Sequence, residues 1–225
     1  MPGITNLDVQ GCLNLRDLGG LATREGKTLT VGRLFRSAAP LTESGTVARL
    51  MAATGLRRIV DLRMDPEVKA AGPGLLPSTC ERVRLPLIGS IPPHWPDPPD
   101  RSPPATALRY FEMLEVGLPT LADVVGLLED VDQSPTLIHC VSGRDRTGIV
   151  VASVLELVGV PDASIAADYA LSSVVDDSEG RNANPENILL FLQRVRARFG
   201  SFRNMLLGFG VTDRTLRGLS TALVG

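Results

Sequence analysis

Cys140 and Arg146 are separated by five residues, with His139 just before them, Gly143 between them, and Thr147 and Gly148 just after. The full stretch, residues 136–149, reads Thr-Leu-Ile-His-Cys-Val-Ser-Gly-Arg-Asp-Arg-Thr-Gly-Ile. Thr136 to His139 has the pattern of a short buried strand, and the run after Arg146 that of an apolar helix. A tight loop between them can turn the amides of Val141, Ser142, Gly143 and Arg144 toward one centre. The positive end of the helix dipole adds to the potential there, and a phosphate dianion fits such a trap. A cysteine facing those amides is stabilised as thiolate and becomes a nucleophile. Gly143 can take a positive φ at no steric cost. The planar fork of Arg146 can grip two phosphate oxygens, more tightly in the transition state. Thr147 can donate its hydroxyl to the sulfur when it leaves. His139 is expected to orient the loop rather than act as a base, since a thiolate needs none. A lone cysteine is more often a small buried hydrophobe. Here five residue types fall at the required offsets between a strand pattern and a helix pattern, which makes the signal specific.

The run His-Cys-x-x-Gly-x-x-Arg-Thr-Gly resembles the active-site loop of the cysteine-dependent tyrosine and dual-specificity phosphatases. With Asp145 immediately before Arg146, it resembles a narrower group, the atypical bacterial tyrosine phosphatases. Three more segments carry the likeness: Asn14-Leu-Arg-Asp-Leu-Gly-Gly20, Gly32-Arg-Leu-Phe-Arg-Ser37, and Ile59-Val-Asp-Leu-Arg63 followed by Glu67. Phe199-Gly-Ser201 and Gly210-Val-Thr-Asp213 also fit, so the similarity spans nearly the whole chain, weakest over 88–110.

Phosphoester cleavage needs the departing oxygen protonated, so one carboxyl must hold a proton beside a dianion. Asp145 is the preferred acid, because the negative phosphate would favour its protonated form. Myotubularin-type phosphoinositide phosphatases place an aspartate at the same point, and the resemblance implies a catalytic role there. The runner-up is Asp97 in Trp95-Pro96-Asp97, 43 residues before Cys140. In conventional tyrosine phosphatases a Trp-Pro-Asp loop closes over the substrate and its aspartate protonates the leaving oxygen. Asp61 is a further acid candidate at a strand end. The preferred reading of Asp61, Arg63 and Glu67 is an ion-pair network that holds the loop scaffold. Arg144, usually lysine in the resembled group, offers a cation for a second phosphate or an acidic flank. Beside Asp145 it brings phosphoinositides into the substrate range together with phosphotyrosine.

The rest of the chain must position these groups. At 225 residues and 44% hydrophobic it can bury one full core, and a single domain over 1–225 is expected. The net charge of −2 provides no global attraction for nucleic acid or anionic membrane. Cys12, Cys80 and Cys140 have neither metal-site spacing nor a disulfide framework, which fits a reducing cytoplasm. Either of the first two could shield Cys140 through a reversible disulfide. No secretory signal is read at the start, leaving export without one open, and the longest apolar run, 149–160, is too short to span a bilayer. No cofactor and no metal are expected, and nothing in the sequence specifies an oligomeric state.

In chain order, 1–13 reads as an irregular lead-in and Asn14 to Gly20 as a structural turn against the core. Leu29 to Phe35 reads as a strand, followed by a helix capped at Thr42 that runs to Thr54 and stops at Gly55. Arg58 to Leu62 is a buried strand, Pro66 opens a short helix, and Arg82 to Leu87 is another strand. Residues 89–104, with seven prolines and the only tryptophan, read as a stiff extended loop. Helices follow over 146–158, 161–171, 186–199 and 213–223, with a short one capped by Ser201. Residues 172–184 read as a polar loop, and Asp168 and Tyr169 as braces for the active-site helix. The expected fold is α/β of the tyrosine/dual-specificity phosphatase kind: a central, mostly parallel sheet flanked by helices, with strand, phosphate loop and helix at Cys140. Two rival functions use the same features. One is a phosphate-binding module that does not turn over, and the other is a sulfurtransferase carrying a persulfide on its cysteine.

Overall fold

The computed structural model describes residues 4–41, 45–71, 78–95, 100–172 and 183–225. Its centre is a six-stranded sheet in the order β1-β2-β3-β6-β4-β5. The strands are β1 (Thr5–Asn6), β2 (Arg16–Asp17), β3 (Leu34–Ser37), β4 (Arg58–Asp61), β5 (Glu81–Arg84) and β6 (Thr136–His139). The β3–β6, β6–β4 and β4–β5 pairs are parallel, and the two pairs at the β1 edge are antiparallel. The last strand in sequence thus lies in the middle of the sheet. Its final residue, His139, is level with Ser37 of β3 and Asp61 of β4. Cys140 therefore emerges at the carboxyl edge where the strand order reverses, the place where open α/β sheets bind ligands.

Alternation along the strands divides the core. Leu34, Val60 and Ile138 face a large apolar cluster that also holds Cys140. Phe35, Ile59 and Leu137 face a smaller one with Val47 and Leu50 of helix α1 (Thr46–Thr54). Helix α2 (Asp65–Ala71) follows β4 and buries no side chain. The larger face is covered by α3 (Pro103–Val116), α4 (Leu118–Leu127), α5 (Asp145–Leu157), α6 (Asp162–Ala170), α7 (Pro185–Phe199), α8 (Phe202–Phe209) and α9 (Asp213–Leu223). Every residue of α5 from Thr147 to Leu155 is buried, so this helix is apolar nearly all round.

Most predicted elements are present, with shifted ends. The expected strand at 29–35 occupies 34–37 instead, because Gly32 at φ 80° breaks the extended run and Leu29 bridges Val224. The lead-in contributes β1, which pairs with β2. Helix α1 starts after Gly45 rather than near Thr42, which lies outside the described residues, and it ends at Gly55 in the left-handed region as expected. The strand predicted at 82–87 ends at Arg84. Ser201 caps α8 by accepting from the Asn204 amide at 2.9 Å.

One buried ion cluster ties the sheet edge to the helical layer. Arg16 of β2 donates to Asp168 Oδ1 of α6 at 2.6 Å, and Arg36 of β3 binds the other carboxylate oxygen. All three side chains are only 1% exposed. Burial, then the neighbouring Arg36 charge, bring the Arg16 guanidinium down to about 10 despite the pull of Asp168. Burial opposes the Asp168 charge, and the two arginines overcome it, so its carboxyl lies below the ordinary range. Removing the shared anion strands two buried guanidiniums. Asp168→Ala is expected to lose about 3–5 kcal/mol in urea unfolding, whereas truncation of an exposed pair such as Arg203–Asp213 should leave the unfolding midpoint nearly unchanged.

Candidate active site

The loop after β6 turns every carbonyl from His139 to Arg144 toward a donor. The His139 oxygen accepts from the Leu62 amide at 2.9 Å, and the Val141 oxygen from the Ala39 amide at 2.9 Å. The Cys140 oxygen accepts from His139 Nδ1 at 3.0 Å. Asn14 Nδ2 donates to the Ser142 and Gly143 oxygens at 3.1 and 3.2 Å, and Arg36 adds a bond to Gly143 at 2.7 Å. The Arg144 oxygen takes the Gly148 amide at 2.7 Å and starts α5. In a planar trans peptide the next N–H points opposite to each carbonyl. The N–H groups of Val141, Ser142, Gly143 and Arg144 are thereby turned the other way, into the loop. Among the described residues, those of Val141, Ser142 and Gly143 donate to no backbone carbonyl.

Gly143 is required twice over. Its φ is 68°, and a Cβ there would lie 2.2 Å from the Ser37 carbonyl oxygen. Asn14 is the one non-glycine residue at positive φ among those described, at 58°. Its side chain bridges two loop carbonyls, and Arg16 holds Asn14 through its backbone oxygen and Oδ1. The turn read from sequence as structural therefore acts directly on the loop.

Cys140 is only 2% exposed at the base of the loop, and Val141 is exposed beside it. Arg146 donates two bonds to Glu67 of α2, at 2.5 and 2.8 Å. Burial works against the Arg146 charge, but the Glu67 bonds outweigh it and lift the guanidinium above its ordinary value. Glu67 answers in kind: burial raises its carboxyl, and the Arg146 bond brings it below the usual range. Glu67 in turn accepts the Met64 amide at 2.7 Å, which locks the start of its own helix. The Thr147 hydroxyl is buried and has no partner among the described residues.

Asp61 is fully buried, with both oxygens on Arg63 at 2.9 and 2.7 Å. Burial pushes its carboxyl up and the Arg63 bonds more than reverse this, so it is ionised at neutral pH and poorly placed to give a proton. Asp145, in the first turn of α5, accepts from the Tyr110 hydroxyl and from Arg144 Nη2, the latter at 3.1 Å. Asp97 lies outside the described residues. Its neighbour Trp95 donates its indole N–H to Glu112 of α3 at 2.5 Å. The thiols of Cys12, Cys80 and Cys140 are all free. Cys12 and Cys80 pack in the smaller cluster, on the opposite sheet face from Cys140. Among the described residues no three His, Cys, Asp or Glu side chains are grouped to hold a metal ion, and no helix is long and apolar enough to cross a membrane.

The sequence assigns Glu67 to an ion-pair network that holds the loop scaffold but does not name Arg146 as its partner, and it reads Asn14 only as part of a structural turn. It missed Tyr110 altogether, since a tyrosine in an amphipathic helix carries no local signal. His139 shows how strongly the site is dehydrated. Burial drops its imidazole from 6.5 to about 4 in spite of the nearby Asp61 charge. The unfolded ring binds a proton near pH 6.5 and the folded ring only near pH 4, so unfolding takes up a proton between those values. Stability is therefore expected to fall as pH drops from 6.5 to about 4. His139→Asn, which keeps a donor near the Cys140 carbonyl without titrating, should flatten that slope in urea titrations across the window.

Residues 7–225 match the model of the Tyrosine phosphatase family. Triple specificity protein phosphatase PtpB of Mycobacterium tuberculosis is 33% identical over 202 residues, covering 74% of this chain and 68% of that protein. A Cupriavidus necator protein with a provisional tyrosine-protein phosphatase name is 30% identical over 226 residues, covering 91% of this chain and 80% of its own. Among solved structures, P. aeruginosa TpbA covers 92% of this chain and 96% of its own at 16% identity and a TM-score of 0.45, a likeness too distant to carry anything further. The family match runs through the whole loop and the turn that braces it, and this chain belongs to the tyrosine phosphatase family of cysteine-based, metal-independent phosphatases.

Proposed function

We propose that residues 1–225 form one phosphatase domain that hydrolyses phosphotyrosine through a cysteinyl-phosphate on Cys140. The observation that carries this reading is the outward pinning of all six carbonyls from His139 to Arg144, next to an Arg146 fork already set by Glu67. The Cys140 thiolate forms the S–P bond as the ester P–O bond breaks, and the departing oxygen takes a proton from Asp145. The loop amides and Arg146 hold the three equatorial oxygens, where charge is spread in the transition state. Water then attacks phosphorus and gives its proton to the Asp145 carboxylate. The S–P bond breaks and releases inorganic phosphate, with the unpartnered Thr147 hydroxyl donating to the sulfur as it leaves.

Phosphotyrosine is favoured as first substrate because the Arg144 guanidinium rests on Asp145 rather than standing out as a second anion site. The triple-specificity name of the mycobacterial relative supports a range that also includes phosphoserine, phosphothreonine and phosphoinositide monoesters. Steady-state hydrolysis of a phosphotyrosine peptide, a phosphoserine peptide and phosphatidylinositol phosphates tests this. Cys140→Ser is expected to be inactive, and Asp145→Asn to lower kcat about a hundredfold or more on the peptide. Full activity in excess chelator is expected; strict dependence on a divalent ion would falsify the mechanism. A collapse with Asp97→Ala and none with Asp145→Asn would transfer the acid role to the proline-rich stretch.

A further inference from the structure

Asp145 ends a line of hydrogen bonds that crosses three helices. Its Oδ1 accepts from the hydroxyl of Tyr110 on α3. The Tyr110 oxygen lies 2.7 Å from the hydroxyl of Tyr169 on α6, and Tyr169 accepts from Asn187 Nδ2 on α7 at 3.4 Å. An amide nitrogen can only donate, so the line has one direction: Asn187 to Tyr169, Tyr169 to Tyr110, Tyr110 to the carboxylate. All three side chains are buried, and the two tyrosine rings pack edge to face with centroids 6.2 Å apart. Phenylalanine would fill either place without requiring polar partners in the core.

Resting on the reading of Asp145 as the acid, we propose that Tyr110, oriented by Tyr169 and Asn187, is a positioning residue that holds Oδ1 and so fixes the orientation of the carboxyl, whose Oδ2 meets Arg144 Nη2 at 3.1 Å. The groups facing Asp145 are Arg144 and Arg146 from its own loop and helix, Tyr110 from α3 and Tyr169 from α6. Burial, then the Asp145 charge, hold the Tyr110 phenol well above its ordinary value, so it stays a donor throughout the working pH range. A bond donated to a carboxylate favours the charged form. Tyr110 thereby also steadies Asp145 as the base of the second step.

The test compares wild type with Tyr110→Phe, Tyr169→Phe and Asp145→Asn, using aryl phosphates whose leaving groups range from phenol to dinitrophenol, across pH. Tyr110→Phe is expected to lower kcat about tenfold on phenyl phosphate and far less on dinitrophenyl phosphate, whose leaving oxygen needs no proton. KM should change by no more than about twofold, and the high-pH limb of kcat/KM should move upward. Tyr169→Phe should act in the same direction more weakly, and it carries the test if Tyr110→Phe does not fold. A loss that is equal across leaving groups, with the limb in place, means a merely structural role and overturns the inference. If Asp145→Asn steepens the leaving-group dependence while neither tyrosine variant does, only the positioning role falls. If Asp145→Asn leaves that dependence unchanged, the acid reading falls and the positioning role with it.

Discussion

A peptide that turns its N–H inward must turn its carbonyl outward, and a buried carbonyl needs a donor. That constraint governs the architecture around Cys140. Four donors to the loop come from segments far away in sequence: the Asn14 amide, the Arg36 guanidinium, the Ala39 N–H and the Leu62 N–H. They converge because β6 is inserted last, between β3 and β4, so that the ends of both neighbours frame the loop. Without that strand order the loop would have water on its outer side and no reason to keep one shape.

Charge is arranged on the same logic. Several arginines lie close to the site, and each of the main ones has an acidic partner: Arg146 with Glu67, Arg63 with Asp61, and Arg16 and Arg36 with Asp168. Paired cations hold their geometry, and a buried pair resists losing one member far more than a surface pair does. The chain, with a net charge of −2, therefore keeps its cations matched locally around the loop rather than spread as a field over the whole surface.

Helix α6 serves both ends of the loop with consecutive residues. Asp168 gathers the two arginines of β2 and β3, one of which reaches the Gly143 carbonyl. Tyr169 bonds Tyr110, which reaches Asp145. It also packs on α5 so closely that a Cβ on Gly148 would lie 3.0 Å from its ring. The helix carrying Arg146 is thus seated against the same residue that leads to Asp145, and the loop and its aspartate share one support.

Much of this was legible in the sequence because it is local. Strand, loop and helix at 136–158 are written in a short apolar run, a glycine and a buried helix pattern, and Gly143 was readable as the residue able to take positive φ. Cap residues and glycines likewise marked Gly55, Ser201 and the helix beginning at Asp213. What the chain alone could not specify is which distant side chains meet the loop. Asn14 looked like a turn residue, Glu67 like part of an ion-pair scaffold, and Tyr110 carried no signal at all. Hydrogen-bond partners 35, 79 and 129 residues apart leave no periodicity to read, and the strand order that joins them is set by packing of the whole sheet. Local pattern determined where Cys140 sits and the loop it faces; tertiary structure decided what holds that loop in place.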